Sequence, residues 1–199
     1  MCIEPGALPA RQRGLTILEL LVFIVIVGAG LAGILTVMNV TVLHSADPLI
    51  RKQALAIAES LLEEIQLMPF TYCDPSSDSA AATATSVIAC TTTPEAIGPE
   101  TGETRYANPQ FDNVNDYHGY NTALEVPTGI KDITGTPVAG LAGYNAAVTT
   151  TATALGGLAA NDANGQAQVL LIKVTVTPPS GSPIVLEGYR TKYAPQATP

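Results

Sequence analysis

Between Leu15 and Leu43 the chain has a single ionisable side chain, Glu19. A carboxylate inside a membrane helix costs roughly 2.5–3.5 kcal/mol at the centre and less toward the interface. Two arrangements meet that cost: the side chain reaches the headgroups, or a cation is brought to it in an assembled state. Two further groups have types and spacing that could do chemistry. Cys73 and Cys90 remain once Cys2 is set aside with the N-terminal leader, and they read either as one disulfide in an oxidising compartment or as two unpaired thiols. The run Phe111-Asp112-Asn113-Val114-Asn115-Asp116-Tyr117-His118-Gly119-Tyr120 supplies hard oxygen donors at short spacing, of which Asp112, Asn115 and Asp116 are a candidate Ca²⁺ set. It lacks the EF-hand pattern and a closing Glu. The competing reading is an Asx-rich turn whose side chains bond their own backbone, with Phe111 and Tyr117 anchoring it to the core. His44 and His118 are far apart in sequence, and no nucleophile elbow, phosphate-binding glycine loop or zinc spacing is present. The expectation is a protein that is not an enzyme, with no catalytic residues and no cofactor beyond that Ca²⁺ candidate.

The elements that must position these groups begin with an apolar helix. Leu20 to Leu35 has no polar side chain, and Leu15 to Leu43 is long enough to cross a bilayer. The run is too long for the apolar core of a secretory signal, and Glu19 lies within it. Leu31-Ala32-Gly33 starts like a lipobox, but Ile34 stands where the lipid-bearing Cys would be. Gly28, Gly30 and Gly33 each lower helix stability by roughly 1 kcal/mol, and they read either as points where the helix melts or as small residues for close helix packing. After the span, Ile50, Ala54, Ile57, Leu61, Ile65 and Met68 recur at helical spacing, and Pro69 stops the pattern. Asp47-Pro48 reads either as the cap of a new helix or as a kink in a continuous one. A continuous helix from Leu15 to Met68 would be roughly 80 Å long.

The remainder is polar and loop-rich. Ser76 to Thr93 reads as a loop closed by Cys73–Cys90, a crosslink that contributes roughly 3 kcal/mol in the chain-entropy account. Tyr144, Ala146, Val148, Thr150 and Ala152 alternate along one strand face; Leu170, Ile172, Val174 and Val176 do so along a second. Pro178 to Pro183 is a turn, and Ile184 to Tyr193 returns as a partner strand. A sheet with one apolar face against Ile57, Leu61 and Ile65 gives an α+β class, a long N-terminal helix packed on a C-terminal antiparallel sheet. The domain reading is therefore a leader over 1–14, a transmembrane helix over 15–43, an amphipathic half over 44–69 and a head over 70–199. Net charge is -8, with 9 basic against 17 acidic residues and no basic cluster larger than Arg51-Lys52, which excludes a phosphate-tracking, nucleic-acid-binding surface. The absence of Trp and the presence of only 3 Phe leave little aromatic surface for stacking.

Arg11-Gln12-Arg13-Gly14-Leu15-Thr16-Ile17-Leu18-Glu19-Leu20-Leu21 resembles the class III signal of type IV pilins and type II secretion pseudopilins. The resemblance implies cleavage after Gly14 by a prepilin peptidase and N-methylation of Leu15, where the family usually has Phe. It implies too that Glu19 neutralises the N-terminal amine of a neighbouring subunit during assembly, which supplies the cation that the cost of burial asks for. The order Ser45-Ala46-Asp47-Pro48-Leu49-Ile50-Arg51-Lys52-Gln53-Ala54, then Ala58-Glu59, Leu62-Glu63-Glu64-Ile65 and Cys73-Asp74-Pro75, is similar to minor pilins of the MSHA (mannose-sensitive haemagglutinin) type pilus, and the Phe111–Tyr120 run resembles a motif of the same proteins. The implied partners are other minor and major pilins, the inner-membrane assembly platform and the membrane itself. Arg11 and Arg13 before the span are nearly balanced by Arg51 and Lys52 after it. The leader and the cysteine pair decide the orientation: a bacterial inner-membrane protein with a periplasmic head that later enters a filament. Alternative roles are a minor pseudopilin of a type II secretion system and a tip adhesin.

Overall fold

The structure, a computed structural model, describes residues 16–192, and for residues 40–47 the backbone alone. Its elements are a long helix α1 (Ile17–Leu67) and three strands, β1 (Asn145–Ala152), β2 (Val169–Thr177) and β3 (Ile184–Thr191), with single turns of 3₁₀ helix at Val87–Ala89 and Val114–Tyr117. The chain divides into two compact units, one up to Ala46 and one from Asp47 onward. The helical hydrogen-bonding pattern continues through Pro48, so Asp47 does not cap a new helix. Leu67 is the last helical residue, ahead of Pro69.

In the second unit the strands form an antiparallel meander in the order β1-β2-β3. Val148 stands opposite Val174, which stands opposite Leu186. Alternation puts Leu170, Ile172, Val174 and Val176 of the central strand on one buried face, joined by Ala146, Val148 and Thr150 of β1. The expected strands are present, β3 ending at Thr191; Tyr193 lies outside the described residues.

The helix meets this face through Ala54, Ala58, Leu61 and Ile65, all buried in the same cluster as the sheet residues. Of Ile57, Leu61 and Ile65, expected together against the sheet, Leu61 and Ile65 are buried there and Ile57 is only partly buried. Two alanines in the seam let the helix backbone come close to the sheet, and β3 answers with a glycine. A Cβ on Gly188 would lie 2.5 Å from Gln66 Nε2 and 3.1 Å from Leu62 Cδ1. Between helix and sheet, residues 68–144 have little regular structure and are held by buried polar contacts, by aromatic packing and by the disulfide Cys73–Cys90.

Candidate functional site

Gly14 and Leu15, the expected cleavage and methylation positions, lie outside the described residues, as does Cys2. The first described residue, Thr16, precedes the helix, and its hydroxyl accepts a hydrogen bond from the Glu19 amide at 3.3 Å. Thr16 is thus the N-cap and Glu19 the third helical residue, in the first turn, where unpaired amides favour a negative charge. The cap was not singled out in the sequence, although Thr-x-x-Glu ahead of an apolar run is a known start signal. Ile17–Asn39 is long and apolar enough to cross a membrane, at about 1.5 Å of rise per residue. Within it the Thr36 hydroxyl donates to the Ala32 carbonyl at 2.8 Å. Among the described residues, nothing lies within 4 Å of where a Cβ would sit on Gly28, Gly30 or Gly33.

The second group of chemistry-bearing residues lies in the head. Cys73 and Cys90 are joined, with Cα atoms 5.5 Å apart. Buried Asp78 organises the loop they close. Its Oδ1 accepts from the Thr91 hydroxyl at 2.6 Å and the Ala80 amide at 2.8 Å, and its Oδ2 from the Thr92 amide at 2.7 Å. Burial opposes ionisation of Asp78, but the bonds from Thr91, Thr92 and Ala80 outweigh it and hold the carboxyl below its ordinary range.

The Asx-rich run is a capped 3₁₀ turn. Asn113 accepts from the Val114 amide, while Asp116 Oδ2 reaches back to accept from the Asn113 amide at 2.7 Å and the Asp112 amide at 2.9 Å. Asn113 Nδ2 donates to Thr71 Oγ1 at 2.7 Å, tying the turn to the segment after the helix. Phe111, Tyr117 and Tyr120 pack edge to face, and the Tyr117 hydroxyl donates to Glu64 Oε1 on α1 at 2.8 Å, so Phe111 and Tyr117 do anchor the turn.

Asp112, Asn115 and Asp116 are not brought together as one ligand set. Asp112 joins Asp74 and Glu103, and Asp116 joins Glu95 and Glu100; within each trio one oxygen per residue lies within 4.8 Å of the others. Asp112 precedes the N-cap, in chain that is not yet helical, and so faces a different neighbour from Asp116. Glu95, Glu100 and Glu103 were not singled out in the sequence; they come from a Pro-, Gly- and Thr-rich stretch with no periodicity. Asn115 Nδ2 donates to Glu95 Oε1 at 2.8 Å and to the Ala96 carbonyl. Burial, reinforced by repulsion from Asp116, pushes the carboxyls of Glu95 and Glu100 well up, and lifts Asp112 to about 7.

A cleft of about 480 Å³ beside α1 is lined by Ile57, Glu64, Arg105, Ile130 and Lys131. Its charged groups are engaged with one another or with neighbours: Arg105 grips Glu64 through two bonds of 2.6 and 2.5 Å, and Lys131 pairs with Glu125 at 2.8 Å. His118 Nδ1 lies 2.8 Å from the Thr150 carbonyl oxygen.

Residues 9–35 match the prokaryotic N-terminal methylation motif. The chain carries a type IV pilin-like prepilin signal. That signal is shared by pilins and pseudopilins; it implies processing by a prepilin peptidase, association with other pilins and anchoring in a membrane. No curated protein and no solved structure matches the chain. Together with the helix and the three-stranded antiparallel sheet, the motif gives an α+β protein consistent with a pilin fold.

Proposed function

We propose that the chain is a minor pilin of an MSHA-like type IV pilus, an MshD-like subunit, and that it acts in assembly and not as an enzyme. It is made as a prepilin in the inner membrane with its head in the periplasm. A prepilin peptidase cuts between Gly14 and Leu15 and methylates Leu15, and the chain then passes through the assembly platform to a place at or near the filament tip. The observation that carries this reading is Glu19 in the first turn of an apolar helix, inside residues that match the methylation motif. The pilus assignment is supported by the order of residues from Ser45 to Ala54 and around Cys73-Asp74-Pro75.

The mechanism follows from dielectric screening. Opposite charges in hydrocarbon attract far more strongly than in water, while either alone is penalised. The new amine on Leu15 of one subunit and the carboxylate of Glu19 on the next meet at only one axial offset. Their pairing therefore sets register, and side chains such as Leu21, Ile24 and Leu31, all exposed within a single chain, are then free to pack between neighbours.

Mass spectrometry of the mature N-terminus tests the reading. Co-expression with a prepilin peptidase is expected to yield a chain that begins at N-methylated Leu15, and Gly14→Ala is expected to leave the full-length chain. A native chain that still begins at Met1 would overturn the proposal.

A further inference from the structure

Three acids in the head, Glu95, Glu100 and Asp116, stand together with one oxygen of each within 4.8 Å of the others. Glu95 and Asp116 are 4% and 0% exposed, and Glu100 is half-buried beside them. The fold fixes one oxygen of each buried acid with amide donors; the other receives no amide, hydroxyl or cationic donor, and carboxyl faces carboxyl, Glu95 against Asp116 and Glu100 against Glu103. Glu95 Oε1 takes the Asn115 amide, and Asp116 Oδ2 takes two backbone amides, whereas Glu95 Oε2, Asp116 Oδ1 and Glu100 Oε2 are buried and have no donor. Asn115, whose amide nitrogen already bonds Glu95, also has its Oδ1 buried without a partner. Among the described residues, the ion pairs within 4 Å engage Glu64, Glu125 and Glu187 and none of these three acids. Unpartnered buried oxygens are costly, and three carboxylates within 4.8 Å repel one another unless something positive stands between them.

We propose that Glu95, Glu100 and Asp116 bind one calcium ion, with Asn115 orienting Glu95, and that the ion clasps the segment after the disulfide loop to the Val114–Tyr117 turn. The donor set is carboxylate oxygen without sulfur or imidazole, the chemistry of a hard cation. Ligands on opposite sides of Ca²⁺ stand roughly 4.6–5.2 Å apart, which a trio within 4.8 Å accommodates. Magnesium holds to smaller octahedral geometry and keeps several waters, which suits buried, prearranged oxygens less well. The second trio is a weaker receptor, because both oxygens of Asp74 are already occupied by Ser76 and Ser77. The competing arrangement is a proton shared between Glu95 and Asp116, and the experiment separates the two.

Full-length chain purified in detergent is stripped with EGTA and titrated with CaCl₂ or MgCl₂ at neutral pH, by calorimetry and by thermal unfolding. One Ca²⁺ is expected to bind with Kd on the order of 10⁻⁴ M, as in extracellular modules. Tm is expected to rise by about 5–10 °C at a hundredfold excess over Kd, with Mg²⁺ at least tenfold weaker. Glu95→Gln and the less buried Glu100→Gln are each expected to lower Ca²⁺ affinity at least tenfold. In EGTA the same variants are expected to melt at or above wild type, because repulsion is relieved; a merely structural role would lower Tm in both conditions. Glu63→Gln, on the exposed side of α1, should bind Ca²⁺ within twofold of wild type. The proposal is overturned if Ca²⁺ gives neither heat nor a shift in Tm, which is the outcome of a shared proton. It is overturned equally if Glu95→Gln and Glu100→Gln bind Ca²⁺ as wild type does.

Discussion

Replacing Arg105 with Met tests how the irregular half of the head is fastened to α1. Arg105 sends Nε and Nη2 to the two oxygens of Glu64, at 2.6 and 2.5 Å, and Nη1 to the Lys131 carbonyl at 3.1 Å. Its guanidinium also lies over the rings of Tyr106 and Tyr120. Burial by itself would lower the pKa of Arg105; the Glu64 carboxylate reverses that and holds the guanidinium firmly charged. Removing one partner of a buried pair costs about 3–5 kcal/mol, because the other charge is stranded. The Arg105 side chain is 9% exposed and that of Glu64 21%, so stranded Glu64 regains some water and Arg105→Met belongs near the lower limit, about 3 kcal/mol. For a unit of this size that is a fall in Tm of about 6–12 °C. Glu64→Met should cost at least as much, since it strands the less exposed Arg105 and removes the acceptor of the Tyr117 hydroxyl. The double variant is expected to lose less than either single one, because an apolar pair leaves no stranded charge and mainly the Tyr117 bond, about 1 kcal/mol, is missing. The assay is tyrosine circular dichroism of the full chain on heating, in a protein without Trp. If the double variant loses the sum of the singles, the two groups are not coupled and the fastening argument is wrong.

Three other outcomes are expected. Glu19→Val should insert into the membrane at least as well as wild type, since a costly carboxylate is gone, but should fall more than tenfold in sheared filaments; normal incorporation would remove charge pairing as the assembly step. Replacing both Cys73 and Cys90 with Ser should cost about 3 kcal/mol for a loop spanning 17 positions, read as a lower Tm, and two titratable thiols in processed wild-type chain would refute the bridge. The Asp78 carboxyl sits below its ordinary 3.8 when folded, so its stabilisation is present above that pH and lost as pH falls below it. The Tm gap between wild type and Asp78→Asn should therefore be widest above about pH 5 and close toward pH 2; a gap independent of pH would show that the Asp78 bonds do not favour the ionised form.

The sheet could be read from the sequence because its periodicity is short and uninterrupted. Leu170, Ile172, Val174 and Val176 alternate with Lys173 and Thr175, and a period of two admits one assignment of faces. The helical stripe gave the right side of α1, with Leu61 and Ile65 buried against the sheet, but Ile57 only partly so. An apolar stripe about 100° wide contains both the Ala54–Ala58–Leu61–Ile65 line and Ile57, and the partner decides which line is deepest. Here the partner is a sheet that comes close to the helix, with Gly188 leaving room for the ends of Gln66 and Leu62, and the small side chains took the seam.

The acid cluster was not legible for a different reason. Sequence proximity groups Asp112, Asn115 and Asp116, but a capped 3₁₀ turn spends one oxygen of Asp116 on the amides of Asp112 and Asn113 and turns the other toward Glu95 and Glu100. Those acids arrive from a stretch without periodicity. Its start is fixed near Cys73, where the Glu95 amide donates to the Tyr72 carbonyl, and its path is fixed by the Gly98 amide donating to the Asn115 carbonyl. A site assembled by loop-to-loop backbone bonds leaves no spacing rule in the chain. The N-terminal signal is the opposite case: Thr16, Glu19 and the apolar run lie along one helix, where spacing is geometry, and the motif can be read from order alone.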